Sequence, residues 1–338
     1  MPTDLHYLTD HYKKKIESLN ALDAPLNFLF ITDMHNRLHE LAYRNDSPEH
    51  QRPFELAVNA IDSIQYILDR CPGIAFVVSG GDIGNDYDPD PARVRASHHE
   101  VMDALYRLSV PVHCCIGNHD DAIGNAIDRG DDTRPFAILP GEMHNLCMKY
   151  NPTKENYYYH DVDTAERGYR FVFLNTSDRP FETDENGQQP FGWRDEISDK
   201  QAKWFETVAL DTDRAVIVVS HAPLFNAGLF GTQDMPNPFK PYDDLLNAPR
   251  VQYAVKHAGN VVMLLAGHLH YDNLLYNEGI LTVTTLSSYA QEWAPTSPRR
   301  EVGTVTETAF DVFSIKDRTV YITRFGAGED RIGHLARL

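Results

Sequence analysis

Five short apolar segments of this chain are each followed directly by residue types that bind metal ions. The segments have the length and composition of buried β-strands, and they are Leu26–Thr32, Ile74–Ser79, Val110–Ile116, Ala215–Val219 and Val261–Ala266. The clusters that follow are, in the same order, Asp33-Met34-His35, Gly80-Gly81-Asp82, Gly117-Asn118-His119-Asp120, Ser220-His221 and Gly267-His268-Leu269-His270. Each cluster alone is a weak signal, but their joint occurrence predicts functional groups at the carboxyl ends of strands.

The order of the predicted elements indicates an α/β fold. Helices are predicted over 4–20, 53–70, 91–108, 198–210 and 242–258, so that the early strands alternate with helices. Further strands are predicted over 157–162, 169–175, 274–276, 280–286, 310–315 and 319–325, with a hairpin at 316–318. Residues 121–155 are expected to be irregular. This mixture favours two sheets over one doubly wound sheet.

The ordered set of clusters resembles the calcineurin-like metallophosphoesterases. The pattern of that family is D-x-H, then G-D, then G-N-H-[D/E], then a single His, then G-H-x-H, and every part occurs here between residues 33 and 270. The resemblance implies a four-layer sandwich of two mixed β-sheets flanked by helices. It also implies a single catalytic domain over 1–338, with a helical arm at 1–24, a metal-binding core at 25–287 and a β-rich completion of the sandwich at 288–338.

The same resemblance implies a site for two metal ions. The ligands would be Asp33, His35 and His270 at the first ion, Asn118, His221 and His268 at the second, and the carboxylate of Asp82 as a bridge. Carboxylate oxygens and imidazole nitrogens suit manganese, iron and zinc, so the identity of the ions stays open. A hydroxide shared by the ions would attack phosphorus, because metal binding lowers the pKa of water to around 7.

His119 is not a ligand in this scheme. The resemblance places it beside the leaving group, as a general acid or as a hydrogen-bond donor to the transition state. The alternative is a histidine that only orients Asn118. Ser/Thr protein phosphatases of the superfamily carry G-D-x-x-D-R-G, in which the second aspartate supports this histidine. Here Asn85 stands at that position, Asp86 follows it and no arginine comes next, which argues against a protein phosphatase.

Charge and cysteine content restrict the partners that we expect. The chain has 31 Lys+Arg and 49 Asp+Glu, a net charge of −18, which argues against duplex nucleic acid and against an anionic membrane surface. A small phosphorylated substrate remains possible, because bound metal reverses the local field. The four cysteines form no C-x-x-C pair and no secretory signal is recognised, so we expect reduced thiols and a cytoplasmic protein. Oligomeric state is not predicted.

The function that these features favour is hydrolysis of a small organic phosphate mono- or diester. A cyclic-nucleotide phosphodiesterase is one specific alternative. An interaction module without catalysis is an alternative of another class, but such relatives usually lose ligands or the catalytic histidine. A metal-dependent peptidase would normally show H-E-x-x-H, which the sequence lacks. Specificity is expected to come from the loops 84–97, 121–155, 178–195 and 226–243, and Arg37 is a further candidate contact for a substrate phosphate.

Overall fold

Two mixed β-sheets form the centre of the fold. The computed structural model describes residues 10–36, 55–179, 182–189, 192, 195–225, 248–288, 297–301 and 304–338. Its strands are β1 (Leu26–Ile31), β2 (Ile74–Ser79), β3 (Val112–Cys114), β4 (Tyr158–Asp163), β5 (Gly168–Phe173), β6 (Ala215–Ser220), β7 (Val261–Ala266), β8 (Asn273–Asn277), β9 (Ile280–Thr284), β10 (Ala309–Lys316), β11 (Thr319–Gly326) and β12 (Arg331–His334). The described strands pair in the orders β12-β11-β10-β1-β2-β3 and β4-β5-β6-β7-β9-β8.

Parallel strands lie in the middle of each sheet. β1, β2 and β3 are parallel to one another, and β10 joins β1 in antiparallel register, with Phe28 opposite Phe313. In the second sheet β5, β6, β7 and β9 are parallel, while β4 and β8 are antiparallel edges. The strands that precede the metal-ligand clusters are therefore the parallel ones, and their carboxyl ends lie at one edge of each sheet.

Helices cover the sheets, and two of them begin within one residue of the predicted start. They are α1 (Asp10–Leu22), α2 (Glu55–Leu68), α3 (Pro91–Leu105), α4 (Gly124–Arg129), α5 (Pro140–Cys147), α6 (Asp199–Trp204, continued by a π-helical turn at Phe205–Ala209) and α7 (Ala248–Ala258). Ser198 caps α6 by accepting a hydrogen bond from the backbone N–H of Gln201, and Asp90 caps α3 through Ala92. Predicted residues 4–9, 53–54 and 242–247 lie outside the described ranges.

The core is divided by the second sheet into two apolar layers. Along β5, Phe171 and Phe173 face the first sheet, while Val172 faces the layer that α6 and α7 cover, as the alternation of a strand requires. The ring of Phe171 packs edge-on against Phe28 of β1, with centroids 5.0 Å apart. The arrangement of helices, sheet, sheet and helices confirms the predicted two-sheet α/β fold class.

The sequence-based prediction of an irregular segment at 121–155 is wrong in part. The segment contains α4 and α5, which are each shorter than the window in which helical periodicity can be recognised. In α5 the proline that suggests a break occupies the first turn, where a missing N–H costs nothing, and Met143 and Cys147 are buried on one face. The short edge strand β12 was also not predicted.

All four cysteines are free and buried, as expected for reduced thiols. None of the helices in the described ranges is long and apolar enough to cross a membrane.

His113 of β3 is a buried histidine in the layer between the sheets. Its ring stacks on Phe173 at 5.3 Å, meets Phe76 edge-on at 5.4 Å, and lies 4.4 Å from the ring of His160. Nδ1 is 3.0 Å from the hydroxyl of Tyr158. Burial, together with His160, lowers the pKa of His113 to about 3.

We predict that His113 makes the fold sensitive to acid. The unfolded chain binds a proton at this residue below about pH 6.5, whereas folded His113 stays neutral until about pH 3, so stability is lost as the pH falls through this interval. In His113→Phe the loss of unfolding free energy between pH 7 and pH 5, measured by urea titration, should shrink by about 2 kcal/mol. Tyr158→Phe removes only the hydrogen-bond partner and should keep the pH dependence of the parent. An unchanged pH dependence in His113→Phe would contradict the prediction.

Candidate metal centre

The predicted clusters meet where the carboxyl ends of the two sets of parallel strands approach each other. Asp33 and Asp82 follow β1 and β2 of the first sheet, and His221 and His268 follow β6 and β7 of the second. The backbone N–H of Asp33 donates to Gly81 O at 3.0 Å, which ties together two loops of one sheet. The N–H of His268 donates to the Asp33 carboxylate at 3.0 Å, which ties one sheet to the other.

The backbone is strained where candidate ligands stand. Ten non-glycine residues of the described chain have a positive φ, and five of them are candidate ligands, namely Asp33 (φ 53°), His35 (φ 41°), Asp82 (φ 51°), His268 (φ 67°) and His270 (φ 49°). Such conformations are unfavourable for residues with a side chain and persist only when the surrounding structure imposes them. Because half of these strained residues are candidate ligands, we infer that the loop conformations serve to position the ligand side chains.

Two glycines of the predicted clusters stand where a side chain would collide with neighbouring groups. A Cβ atom on Gly117 would overlap Oδ1 of Asp82 and would lie 2.5 Å from the Asp82 backbone N. A Cβ atom on Gly267 would overlap the side chain of Thr32 and lie 2.5 Å from Oδ2 of Asp33. These glycines therefore let the carboxylates approach the loops that carry the other ligands.

Asp33, His35 and His270 form one group of potential ligand atoms. Oδ1 of Asp33 is 3.2 Å from Nε2 of His270, and Nε2 of His270 is 3.3 Å from Nε2 of His35. Three side chains thus direct one oxygen and two nitrogens at a common point, and all three are buried. This is the set that the sequence assigns to the first ion.

His221, His268 and Asp82 form a second group, and Asn118 joins it. Nε2 of His221 is 3.0 Å from Oδ1 of Asn118, 3.1 Å from Oδ2 of Asp82 and 3.1 Å from Nδ1 of His268. Ligands bound about 2.1 Å from one ion lie about 3.0–3.4 Å apart at octahedral or tetrahedral angles. The spacing and chemistry of the donors therefore fit a divalent transition-metal ion, as they also do in the first group.

Asp82 lies between the two groups. Its Oδ2 is 3.1 Å from Nε2 of His221 and 3.7 Å from Nε2 of His35, so one carboxylate faces a histidine of each group. Its Oδ1 accepts a hydrogen bond of 2.9 Å from the backbone N–H of His119. The position agrees with the bridging role that the sequence predicts, and that role stays a prediction.

Burial and charge move the pKa values of the candidate ligands in different directions. Burial lowers the pKa of His35 and of His268 to about 3, which keeps both rings neutral. Burial opposes ionisation of Asp33 and Asp82, but the adjacent histidines His270 and His221 hold both pKa values below the usual range of an aspartate. Burial opposes protonation of His221, but Asp82 and Asp33 raise its pKa to about 10. Neutral imidazoles and ionised carboxylates are the forms that coordinate metal, so an ion bound at the second group would have to displace the proton of His221.

His119 pairs with an aspartate that the sequence analysis did not assign. Nδ1 of His119 is 2.8 Å from Oδ1 of Asp86. Its other ring nitrogen, Nε2, is on the side nearer the candidate metal centre, 4.0 Å from Oδ2 of Asp82. Burial opposes the protonated form, but Asp86 and Asp82 raise the pKa of His119 to about 9. Asn85 instead accepts a hydrogen bond from the N–H of Tyr87. The supporting carboxylate is therefore present, one residue later than in the protein-phosphatase motif.

Asp120 holds the loops that carry Asp82 and Asn118. Its carboxylate accepts hydrogen bonds from the backbone N–H groups of Gly117 at 2.7 Å, Ile83 at 2.8 Å and Asp82 at 3.0 Å. Burial and Asp82 raise the pKa of Asp120 to about 7, against the effect of the donors. Asp120 belongs to the predicted cluster, but only the fold reveals which N–H groups it reaches.

One further carboxylate near the site gave no signal in the sequence. Asp195 is buried, its Oδ2 lies 3.9 Å from Nε2 of His268, and burial raises its pKa to about 7. No motif contains it, and it lies far along the chain from His268. Arg37, the candidate phosphate contact, and the loop 226–243 lie outside the described residues.

Comparison with known proteins identifies the family of the chain and similar folds. The sequence profile described as calcineurin-like phosphoesterase matches residues 26–272. A dimetal phosphatase from Danio rerio has a similar structure, with 18% identity, a TM-score of 0.60, and an alignment over 93% of this chain and 100% of that chain. GAP50, the anchor in the inner membrane complex of Plasmodium, is similar with 14% identity, a TM-score of 0.52 and coverage of 93% and 89%. No curated protein sequence matches the chain.

We predict that Gly117→Ala weakens metal binding at both groups. The added Cβ would displace the Asp82 carboxylate, which faces both groups, so affinity should fall by about 10–100-fold. The measurement is titration of Zn²⁺ into metal-free protein, followed by metal analysis. Gly141→Ala is the matched control, because a Cβ there meets nothing within 4 Å, and it should bind like the parent. Parent-like binding by Gly117→Ala would contradict the predicted bridging role of Asp82.

Proposed function

The chain belongs to the calcineurin-like phosphoesterase family, and we propose that it hydrolyses a small organic phosphate mono- or diester with the help of two metal ions. Manganese, iron and zinc all suit the donor atoms. When bound, the ions supply a strong nucleophile from water at neutral pH and neutralise negative charge on the phosphoryl oxygens. The remaining requirements of the reaction fall to side chains of the protein.

The observation that carries this proposal is the pairing of His119 with Asp86 beside Asp82. Because Asp86 accepts from Nδ1, the other ring nitrogen of His119 faces the candidate metal centre. The raised pKa of His119 favours the protonated ring, which is the form that can give a proton to a departing oxygen. His119 itself is not part of either candidate ligand group. A carboxylate–histidine pair placed this way suits protonation of a leaving group better than the alternative in which His119 only orients Asn118.

The charge distribution supports a phosphate ester as the guest of this acidic protein. Two divalent ions would add about four positive charges next to Asp33 and Asp82, so the site would attract an anion although the chain carries a net charge of −18. The same net charge argues against a long nucleic acid or an anionic membrane as partner. The free, buried cysteines support a cytoplasmic location.

The alternatives within and outside this class differ in what they require. A cyclic-nucleotide phosphodiesterase would use the same groups, and the choice depends on the surrounding loops. A module without catalysis needs neither a complete ligand set nor His119. The chain keeps all seven candidate ligands and the histidine–aspartate pair, which supports an enzyme.

The proposal is tested by metal analysis together with hydrolysis of bis-p-nitrophenyl phosphate and a panel of mono-, di- and cyclic nucleotides, with Mn²⁺ supplied. We expect two bound ions per chain and cleavage of at least one ester. A chain that binds two ions but cleaves none of these phosphate esters would contradict the proposal and favour the interaction module.

We predict that His119→Ala keeps both ions and loses most of the turnover. Proton transfer by a positioned histidine contributes typically about 10²–10⁴-fold, so kcat on the best ester of the panel should fall by that factor. The control is His144→Ala, because the ring of His144 on α5 forms its hydrogen bond with the carbonyl oxygen of Thr153 and belongs to neither candidate ligand group. That variant should keep the kcat of the parent. An unchanged kcat in His119→Ala at full metal occupancy would refute the assignment.

A further inference from the structure

The two ring nitrogens of His268 face different surroundings. Nδ1 is 3.1 Å from Nε2 of His221 and belongs to the second group of candidate ligands. Nε2, on the other side of the ring, faces the carboxylate of Asp195, whose Oδ2 is 3.9 Å away. Asp195 is therefore across the imidazole from the atoms that would hold the ion, which places it behind a ligand and not among the ligands.

Asp195 is a buried residue, and one oxygen of its carboxylate accepts no hydrogen bond from the described residues. The residue is 3% exposed, and its Oδ1 has no hydrogen-bond partner among the described residues. Burying a carboxylate without partners is unfavourable, so such a group is expected to have a role near a positive charge or a strong donor. The ring of His268 offers a donor once an ion holds Nδ1, because the proton then resides on Nε2.

The backbone fixes Asp195 in this position. The next residue, Glu196, forms a bridge with Ser177, in which the N–H of Glu196 donates to Thr176 O at 2.7 Å and the N–H of Asp178 donates to Glu196 O at 2.9 Å. The hydroxyl of Thr176 in turn accepts the N–H of Ala222, next to His221. The segment is thus attached to the same strand ends that carry the second ligand group.

His221 shows the arrangement that Asp195 would complete for its neighbour. Nε2 of His221 faces Asn118 and Asp82, and its other nitrogen, Nδ1, lies 2.8 Å from the carbonyl oxygen of Gly80. Metal-binding histidines usually donate their second N–H to a carbonyl or a carboxylate, which fixes the tautomer and the orientation of the ring. We propose that Asp195 is a positioning residue that accepts the Nε2–H of His268 and so holds Nδ1 ready for the second metal ion.

This inference rests on the proposed two-metal function, and its test separates the two. Zn²⁺ is titrated calorimetrically into the metal-free full chain of the parent, Asp195→Ala and Asp195→Asn, and ¹⁵N-edited NMR of the zinc-loaded proteins follows the ring N–H of His268. In Asp195→Ala we expect one ion to bind about 10–100-fold more weakly while the other binds as in the parent. The ring N–H signal should also exchange faster with water.

Two further variants separate positioning from a general effect on folding. Asp195→Asn keeps an oxygen acceptor, so it should recover part of the lost affinity. Asp178→Asn changes a carboxylate on the segment that pairs with that of Asp195, where it accepts hydrogen bonds from Ser198 and Gln201, and this variant should bind both ions like the parent. Zinc binding and N–H exchange like those of the parent in Asp195→Ala would overturn this inference but not the proposed function. The same holds if Asp195→Ala and Asp178→Asn both lose affinity for both ions to an equal degree. A parent chain that binds no zinc would overturn the proposed function as well.

Discussion

The rest of the site depends on the contacts of the Asp82 carboxylate. One of its oxygens faces His221 and His35, which belong to different ligand groups, and the other accepts the backbone N–H of His119. A buried carboxylate in this position is stable only among donors and positive charge. Three features keep it there: the hydrogen bonds that Asp120 accepts from backbone N–H groups of the surrounding loops, the strained backbone, and the absence of a side chain at Gly117.

The two-sheet architecture explains why such a site can be assembled. One sheet supplies Asp33, His35, Asp82 and Asn118 from the ends of parallel strands, and the other supplies His221, His268 and His270 in the same way. Aromatic packing between the sheets, such as that of Phe28 with Phe171, fixes their separation. Because the ligands stand directly after rigid strands, small distances can be maintained in short loops that would not hold them alone.

Much of the fold and of the candidate site could be predicted from the sequence. The parts that could not be predicted are very short helices and contacts between distant segments. Apolar segments followed by Asp33, Asp82 or His268 are local signals, and their order identified the fold class. Helices α4 and α5 could not be predicted because each is too short to show a periodic pattern. The partnership of His119 with Asp86, one residue beyond the expected position, and the approach of Asp195 to His268 are contacts between distant segments, which no local pattern specifies.

The most direct test of this account is the structure of the metal-loaded protein by anomalous diffraction at a metal absorption edge. The account predicts two anomalous peaks about 3.5–4 Å apart, with the carboxylate of Asp82 in contact with both ions. A single peak, or two peaks of which Asp82 contacts fewer than two, would contradict it.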